Sequence, residues 1–184
     1  MSSAEQHLPA GLRKIIRIKN PRVKAEKLEA YLEEHPDEIH VLWYLAELEL
    51  ETNQYQKARE HIKRLTEEAP ELEEAHLMYA GLLADAFAEY HEARQYYEKA
   101  LEINPVNVAA LIDMAYLLSH HLGEYGAAEN LYERAAQAEP DNHDIYRSLA
   151  SMQYHYLQDY NNARRNLEKA LQLKPDDAFY HYFL

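Results

Sequence analysis

EYHEARQYYEKALEINP (89–105) and DYNNARRNLEKALQLKP (159–175) decide the fold, because each sets a tyrosine, an alanine three residues on and a closing proline in the same order. Outward from them, prolines stand at 36, 70, 105, 140 and 175, spaced by 34, 35, 35 and 35 residues. Ten residues after the first four come Ala46, Ala80, Ala115 and Ala150, and twelve before the last four come Ala58, Ala93, Ala128 and Ala163. Tyr55, Tyr90, Tyr125 and Tyr160 stand three residues ahead of that second set. Self-similarity at a fixed period of this size marks a repeat array. A proline has no amide proton to give and disfavours helix at the residue before it, so each one ends a helix and lets the next begin just beyond. Each unit is therefore expected to be a pair of helices. Its alanines allow close approach, and residues such as Leu42, Leu45, Ile62 and Leu65 fill the space around the contact. Ala46 to Tyr55 is nine residues, whereas Ala80 to Tyr90, Ala115 to Tyr125 and Ala150 to Tyr160 are ten each. The extra residue is expected at the end of the first helix or in its turn.

This order of small, aromatic, small and proline positions resembles the tetratricopeptide repeat family, whose unit is a helix, a turn and a helix of about 34 residues. The resemblance covers four repeats, 37–70, 71–105, 106–140 and 141–175, with 1–36 a basic, degenerate helical cap and 176–184 a truncated terminal helix. It implies an all-α fold, a right-handed superhelical α-solenoid, and a non-catalytic scaffold, adaptor or assembly factor. Two departures stand out. The first helices carry alanine where the family usually has glycine next to the leucine, and Trp43 lies one place later than the family's common tryptophan.

Composition agrees. The 184 residues hold 19 Lys plus Arg, 32 Asp plus Glu, 7 Pro, 4 Gly and no Cys, with 47% apolar residues and a formal charge of −13. Such a chain is too hydrophobic for general disorder, and its few glycines exclude a turn-rich all-β protein or a phosphate-cradling loop. No cysteine means no disulfide and no thiolate metal site. No apolar run reaches the roughly 20 residues of a membrane span, and the opening MSSAEQHLPAG lacks the hydrophobic stretch of a secretion signal, so cytoplasm is the expected compartment. There is no nucleophile elbow and no HExxH, and neither enzyme chemistry nor a cofactor is expected.

Offsets from the prolines divide each first helix into two faces. Leu42, Leu45, Ala46 and Glu49, and later Leu111, Met114, Ala115 and Leu118, form a mostly apolar stripe expected in the core. The other face carries His40, Glu74, Ala109, Asp144 and Phe179, then Trp43, Leu77, Ile112, Arg147 and Tyr182, then Glu47, Gly81, Tyr116 and Ser151, then Leu50, Ala84, Ser119 and Tyr154. In the resembled family this face lines a concave groove that holds peptides or partner helices. The candidate ligand-binding residues are accordingly Trp43, Glu47, Leu77, Ile112, Tyr116, Arg147, Tyr154 and Tyr182. The competing reading is that they fill space between neighbouring first helices. Arg147 is the one cation on these rows, among Glu47, Glu51, Glu74, Asp85 and Asp144, so the expected partner is a protein or peptide, apolar or aromatic with basic character. Glu51, Asp85, His120 and His155 form a column of metal-ligand types. Neighbouring first helices about 8–10 Å apart strain joint coordination, so no metal is assigned, and a site at His120 and His155 stands only as an alternative.

The two ends differ in charge. Residues 11–27 hold seven basic residues and one acid, whereas 37–184 hold 12 basic and 27 acidic. Arg13, Lys14, Arg17, Lys19, Arg22 and Lys24, with Ile15, Ile16 and Ile18, suit either an anionic membrane surface or a cap whose isoleucines cover the first complete repeat. The cap is the preferred reading, and the acidic body argues against nucleic acid. The closing AFYHYFL is aromatic. Phe179, Tyr182, Phe183 and Leu184 are expected to pack on the preceding pair or to mediate self-association.

Overall fold

The structure, a computed structural model, describes residues 7–175. Phe179, Tyr182, Phe183 and Leu184 lie outside the described residues. Among these residues there are ten α-helices and no strand: α1 (Ala10–Ile15), α2 (Pro21–Glu34), α3 (Ile39–Glu51), α4 (Tyr55–Glu68), α5 (Glu73–Phe87), α6 (Tyr90–Ile103), α7 (Val108–Leu117), α8 (Tyr125–Ala138), α9 (His143–Met152) and α10 (Tyr160–Leu173).

The prolines act as the sequence implies. The residues before them, His35, Ala69, Asn104, Glu139 and Lys174, close α2, α4, α6, α8 and α10 with φ of −134, −129, −131, −127 and −138°. With ψ of 66–91° they lie outside the α region, which a following pyrrolidine ring disfavours. The amides of Glu38, Leu72, Asn107 and Asn142 then donate back to the carbonyls of His35, Ala69, Asn104 and Glu139 at 3.0–3.2 Å. Pro36, Pro70, Pro105 and Pro140 therefore occupy the second place of a tight turn, where their fixed φ suits them.

The turn inside each pair is set by one left-handed residue. Asn53, Ala88, Gly123 and Gln158 have φ of 57, 55, 70 and 55°, each two residues ahead of the tyrosine that opens the second helix. After α3 the amide of Gln54 donates to the Glu49 carbonyl at 2.7 Å and that of Asn53 to Leu50 at 3.1 Å, the paired bonds of a left-handed helix cap. After α7 and α9 the helix widens into a π-type turn, Leu118–Leu122 and Gln153–Leu157. There the outer bond reaches one residue further back, from Glu124 to Leu118 at 2.9 Å and from Asp159 to Gln153 at 3.0 Å. The extra residue of these two units is taken up inside the last helical turn, and the tyrosine keeps its place.

The helices form two compact units, 1–87 and 88–184. In the first, α2 packs on α3, α3 on α4 and α4 on α5. Leu12 and Leu28, both 0% exposed, join Val41, Leu45 and Leu48 in one cluster against which Ile15 and Ile16 lie. In the second unit α6 packs on α7, α7 on α8, α8 on α9 and α9 on α10. All eight marker alanines are buried, with at most 1% exposure. The core stripe is apolar except at Glu49, which is 1% exposed and takes a hydrogen bond from His61 Nδ1 at 2.8 Å, joining α3 to α4. A buried carboxylate is tolerated only when it is paired in this way.

Two stability outcomes follow from these backbones and pairs. A side chain at a left-handed position costs about 1 kcal/mol relative to glycine, so Gln158→Gly should raise the denaturation midpoint and Gly123→Ala should lower it by that order. His61→Ala leaves the buried Glu49 carboxylate without its hydrogen-bond donor and should cost roughly 2 kcal/mol in chemical denaturation, with Glu49→Leu in the same background recovering most of the loss.

Candidate functional site

In the first unit the start of α3, the end of α4, the turn after Pro70 and the start of α5 line an open cavity of about 710 Å³. Ile39, Trp43, Tyr44, Leu65 and Leu72 give it apolar walls, while Glu68, Glu71 and Glu74, all exposed, add carboxylates to its lining. No lysine or arginine is among the described residues lining it. Trp43 is half-buried, resting on the cluster of Leu42, Leu65 and Ala75, so one part of its ring is core and another faces the cavity. His40, on the same wall, holds its Nδ1 2.6 Å from Glu38 Oε1.

The candidate residues divide between the two units. Trp43, Glu47 and Leu77 belong to 1–87, and Ile112, Tyr116, Arg147 and Tyr154 to 88–184. Of the first group only Trp43 lines the cavity; Glu47 is exposed and Leu77 half-buried elsewhere on the helices. In the second unit Ile112 is half-buried, Tyr116 and Tyr154 are 50% and 45% exposed, and Arg147 pairs with Asp144 at 2.7 Å. Ser119, counted with the same face, is buried, its hydroxyl donating to the Ala115 carbonyl at 2.8 Å. Tyr182 is outside the described residues. Tyr44, Leu65 and Leu72 were not among the candidates, although they form much of the cavity wall. The signal that could have found them is the apolar residue two places beyond Pro70, where a proline turn must fold back over the helix it has just ended.

His120 and His155 lie in the two widened turns, exposed, and their ring neighbours are tyrosines: Tyr116 stacks on His120 at 3.9 Å, and Tyr154 meets His155 edge-on at 5.1 Å. Among the described residues no group of three or more His, Asp or Glu side chains gathers as metal ligands. None of the helices described is long and apolar enough to cross a membrane.

The tetratricopeptide repeat profile matches residues 25–85 and 86–151, and a second profile of the same description matches 146–177. The chain belongs to the tetratricopeptide repeat family. Among solved structures this tetratricopeptide protein is similar to one described as MamA, with a TM-score of 0.83 and 18% identity over 95% of this chain and 99% of that one. It is similar to YrrB, described as a TPR protein with an unusual peptide-binding site, with a TM-score of 0.79 and 15% identity over 98% of this chain and 92% of that one. TTC0263, a thermophilic TPR protein of Thermus thermophilus, gives a TM-score of 0.68 and 20% identity over 97% and 95% of the two chains. At such identities the likeness shows the fold, an all-α tetratricopeptide solenoid. No curated protein matches the sequence.

Because Trp43 is part core and Tyr116 half solvated, their truncations should separate. Trp43→Ala is expected to cost about 1–2 kcal/mol of stability, less than the range for a fully buried aromatic, and Tyr116→Ala under about 0.5 kcal/mol, both read from denaturant midpoints.

Proposed function

We propose that the chain is a non-catalytic interaction scaffold or assembly factor whose first helices receive a peptide or an amphipathic helix of apolar or aromatic and partly basic character. The observation that carries this reading is the Trp43 cavity, an apolar recess lined by the exposed carboxylates of Glu71 and Glu74, with Glu68 beside them paired to Arg64. The peptide-binding site described for YrrB, a protein of the same fold, supports it. In this reading Trp43 is the main anchor contact of the first unit, with Glu47 and Leu77 further along the same helical faces. Ile112, Tyr116, Arg147 and Tyr154 serve as contact residues of the second unit.

Magnitudes divide the work. Sinking one large apolar side chain against Trp43, Tyr44, Leu65 and Leu72 is worth about 1.5–3 kcal/mol. A lysine or arginine of the partner meeting exposed carboxylates such as Glu71 or Glu74 adds only about 0.2–1 kcal/mol. Affinity therefore comes from the anchor. The charges choose among partners and speed encounter, helped by the overall charge of −13.

Trp43 is the single tryptophan of the chain, so its emission reports on the cavity directly. Titration with a tryptophan-free amphipathic helix of leucine and lysine should shift that emission to the blue, saturate, and weaken as salt is added. The matched helix of leucine and glutamate keeps the anchor but meets like charge, so it should need a severalfold higher concentration to give the same shift. Equal responses to both peptides, or none to either, would overturn the assignment.

A further inference from the structure

Two features of residues 88–184 are left over by this reading, a polar groove and a run of aromatic rings. The groove is occupied by its own hydrogen bonds. Gln153, 3% exposed, donates to the Glu129 carboxylate at 2.8 Å and accepts from Asn166 at 2.9 Å, which makes it a clasp between α8, the turn after α9 and α10.

The rings are more unusual. His121 stacks face to face on Tyr90 at 4.0 Å and meets Tyr116 edge-on at 6.0 Å. Tyr116 stacks on His120 at 3.9 Å, His120 meets Tyr156 edge-on at 5.3 Å, and Tyr156 stacks on Tyr125 at 5.0 Å. Six rings thus run without interruption through the starts of α6 and α8, the end of α7 and both widened turns. The π-type turns bring His120 and Tyr156 together: they are the third and fourth residues of the two equivalent turns. The run is superficial, with Tyr116 and Tyr156 50% and 38% exposed.

We propose that this run is a proton-operated latch between the widened turns that end α7 and α9, closed while His120 is neutral and released when His120 is protonated. The groups around His120 favour that behaviour. On its own element lie Tyr116, His121 and Ser119, whose hydroxyl is 2.9 Å from His120 Nδ1. From the turn after α9 come Tyr156 and the imidazole of His155. From α8, Tyr125 backs Tyr156, and the buried Tyr132, whose hydroxyl burial holds well above the ordinary phenol range, bonds to Ser119. The Tyr116 carbonyl, 3.2 Å from Nδ1, and the face of the Tyr116 ring both attract a cation. The rings packed against the partly exposed imidazole strip water from it and so oppose the charge, as does repulsion from His121 and His155. These win, holding His120 below its ordinary value of 6.5.

The sign follows. Protonation is harder in the folded chain than in the unfolded one, so the closed run adds stability above pH 6.5. That contribution is lost as pH falls through the lowered value of the folded state. Release uncovers the face of Tyr116, so the latch also regulates a contact residue of the proposed scaffold. That consequence rests on the scaffold reading; the latch itself does not.

The test uses the intact chain without any partner, so failure of the scaffold reading leaves it standing. Histidine and tyrosine ring resonances are followed by NMR as pH is lowered from neutral. The latch requires His120 to titrate below 6.5, with the Tyr116 and Tyr156 rings moving at the same midpoint. It also requires His155→Asn to raise that midpoint towards the ordinary value, and His120→Asn to abolish the Tyr156 response. A His120 midpoint at or above 6.5 would overturn it, as would Tyr116 and Tyr156 signals that stay still while His120 titrates.

Discussion

The rest of the structure depends on what a proline does to the residue before it. Five such residues are held out of the helical region, at φ between −127 and −138°, and four of them, His35, Ala69, Asn104 and Glu139, open a fixed turn whose next three residues fold back in the same way. Without that constraint an alanine-, leucine- and glutamate-rich chain would have every reason to continue as helix, since propensity opposes nothing. With it, each helix has a set length, and the small residues that permit close approach recur at positions where a neighbouring helix is waiting. Burial of the eight marker alanines is the result of the punctuation as much as of their size.

Spacing alone made much of the fold legible. Prolines, alanines and tyrosines located the helices and turns, and a count of residues between alanine and tyrosine located the irregularity to within a few positions. It could not say that two of the three long intervals would be accommodated by widening a helix, because that depends on which backbone oxygen accepts the last bond. The core stripe was also legible, Glu49 included, but its partner was not: His61 sits on the next helix, at a distance that only packing sets. The candidate site was less readable. Trp43 could be placed on the accessible face of α3, whereas Tyr44, Leu65 and Leu72 join it through the meeting of three elements and a turn. The ring run was invisible for a similar reason, since His120 and Tyr156 are far apart in sequence and approach only because two turns widen alike.

Charge and burial have separate tasks in this molecule. The basic opening segment contributes its leucines and isoleucines to a closed apolar cluster, so its cations remain outside that contact. The body carries most of the acid, yet among the described residues Glu49 is the one buried carboxylate, and it is tied to an imidazole. Stability therefore rests on packing, and the electrostatic field remains available for encounter with other molecules.

The widened turns have a consequence for how such a chain can change over generations. A single inserted or deleted residue normally rotates everything downstream by about 100° about a helix axis, which would ruin a surface assembled from several hairpins. Here the surplus is swallowed before the left-handed residue is reached, so modules of unequal length stay in phase. Neighbouring hairpins could then be exchanged, duplicated or lost as interchangeable cassettes, with selection left free to vary the side chains on their outer faces.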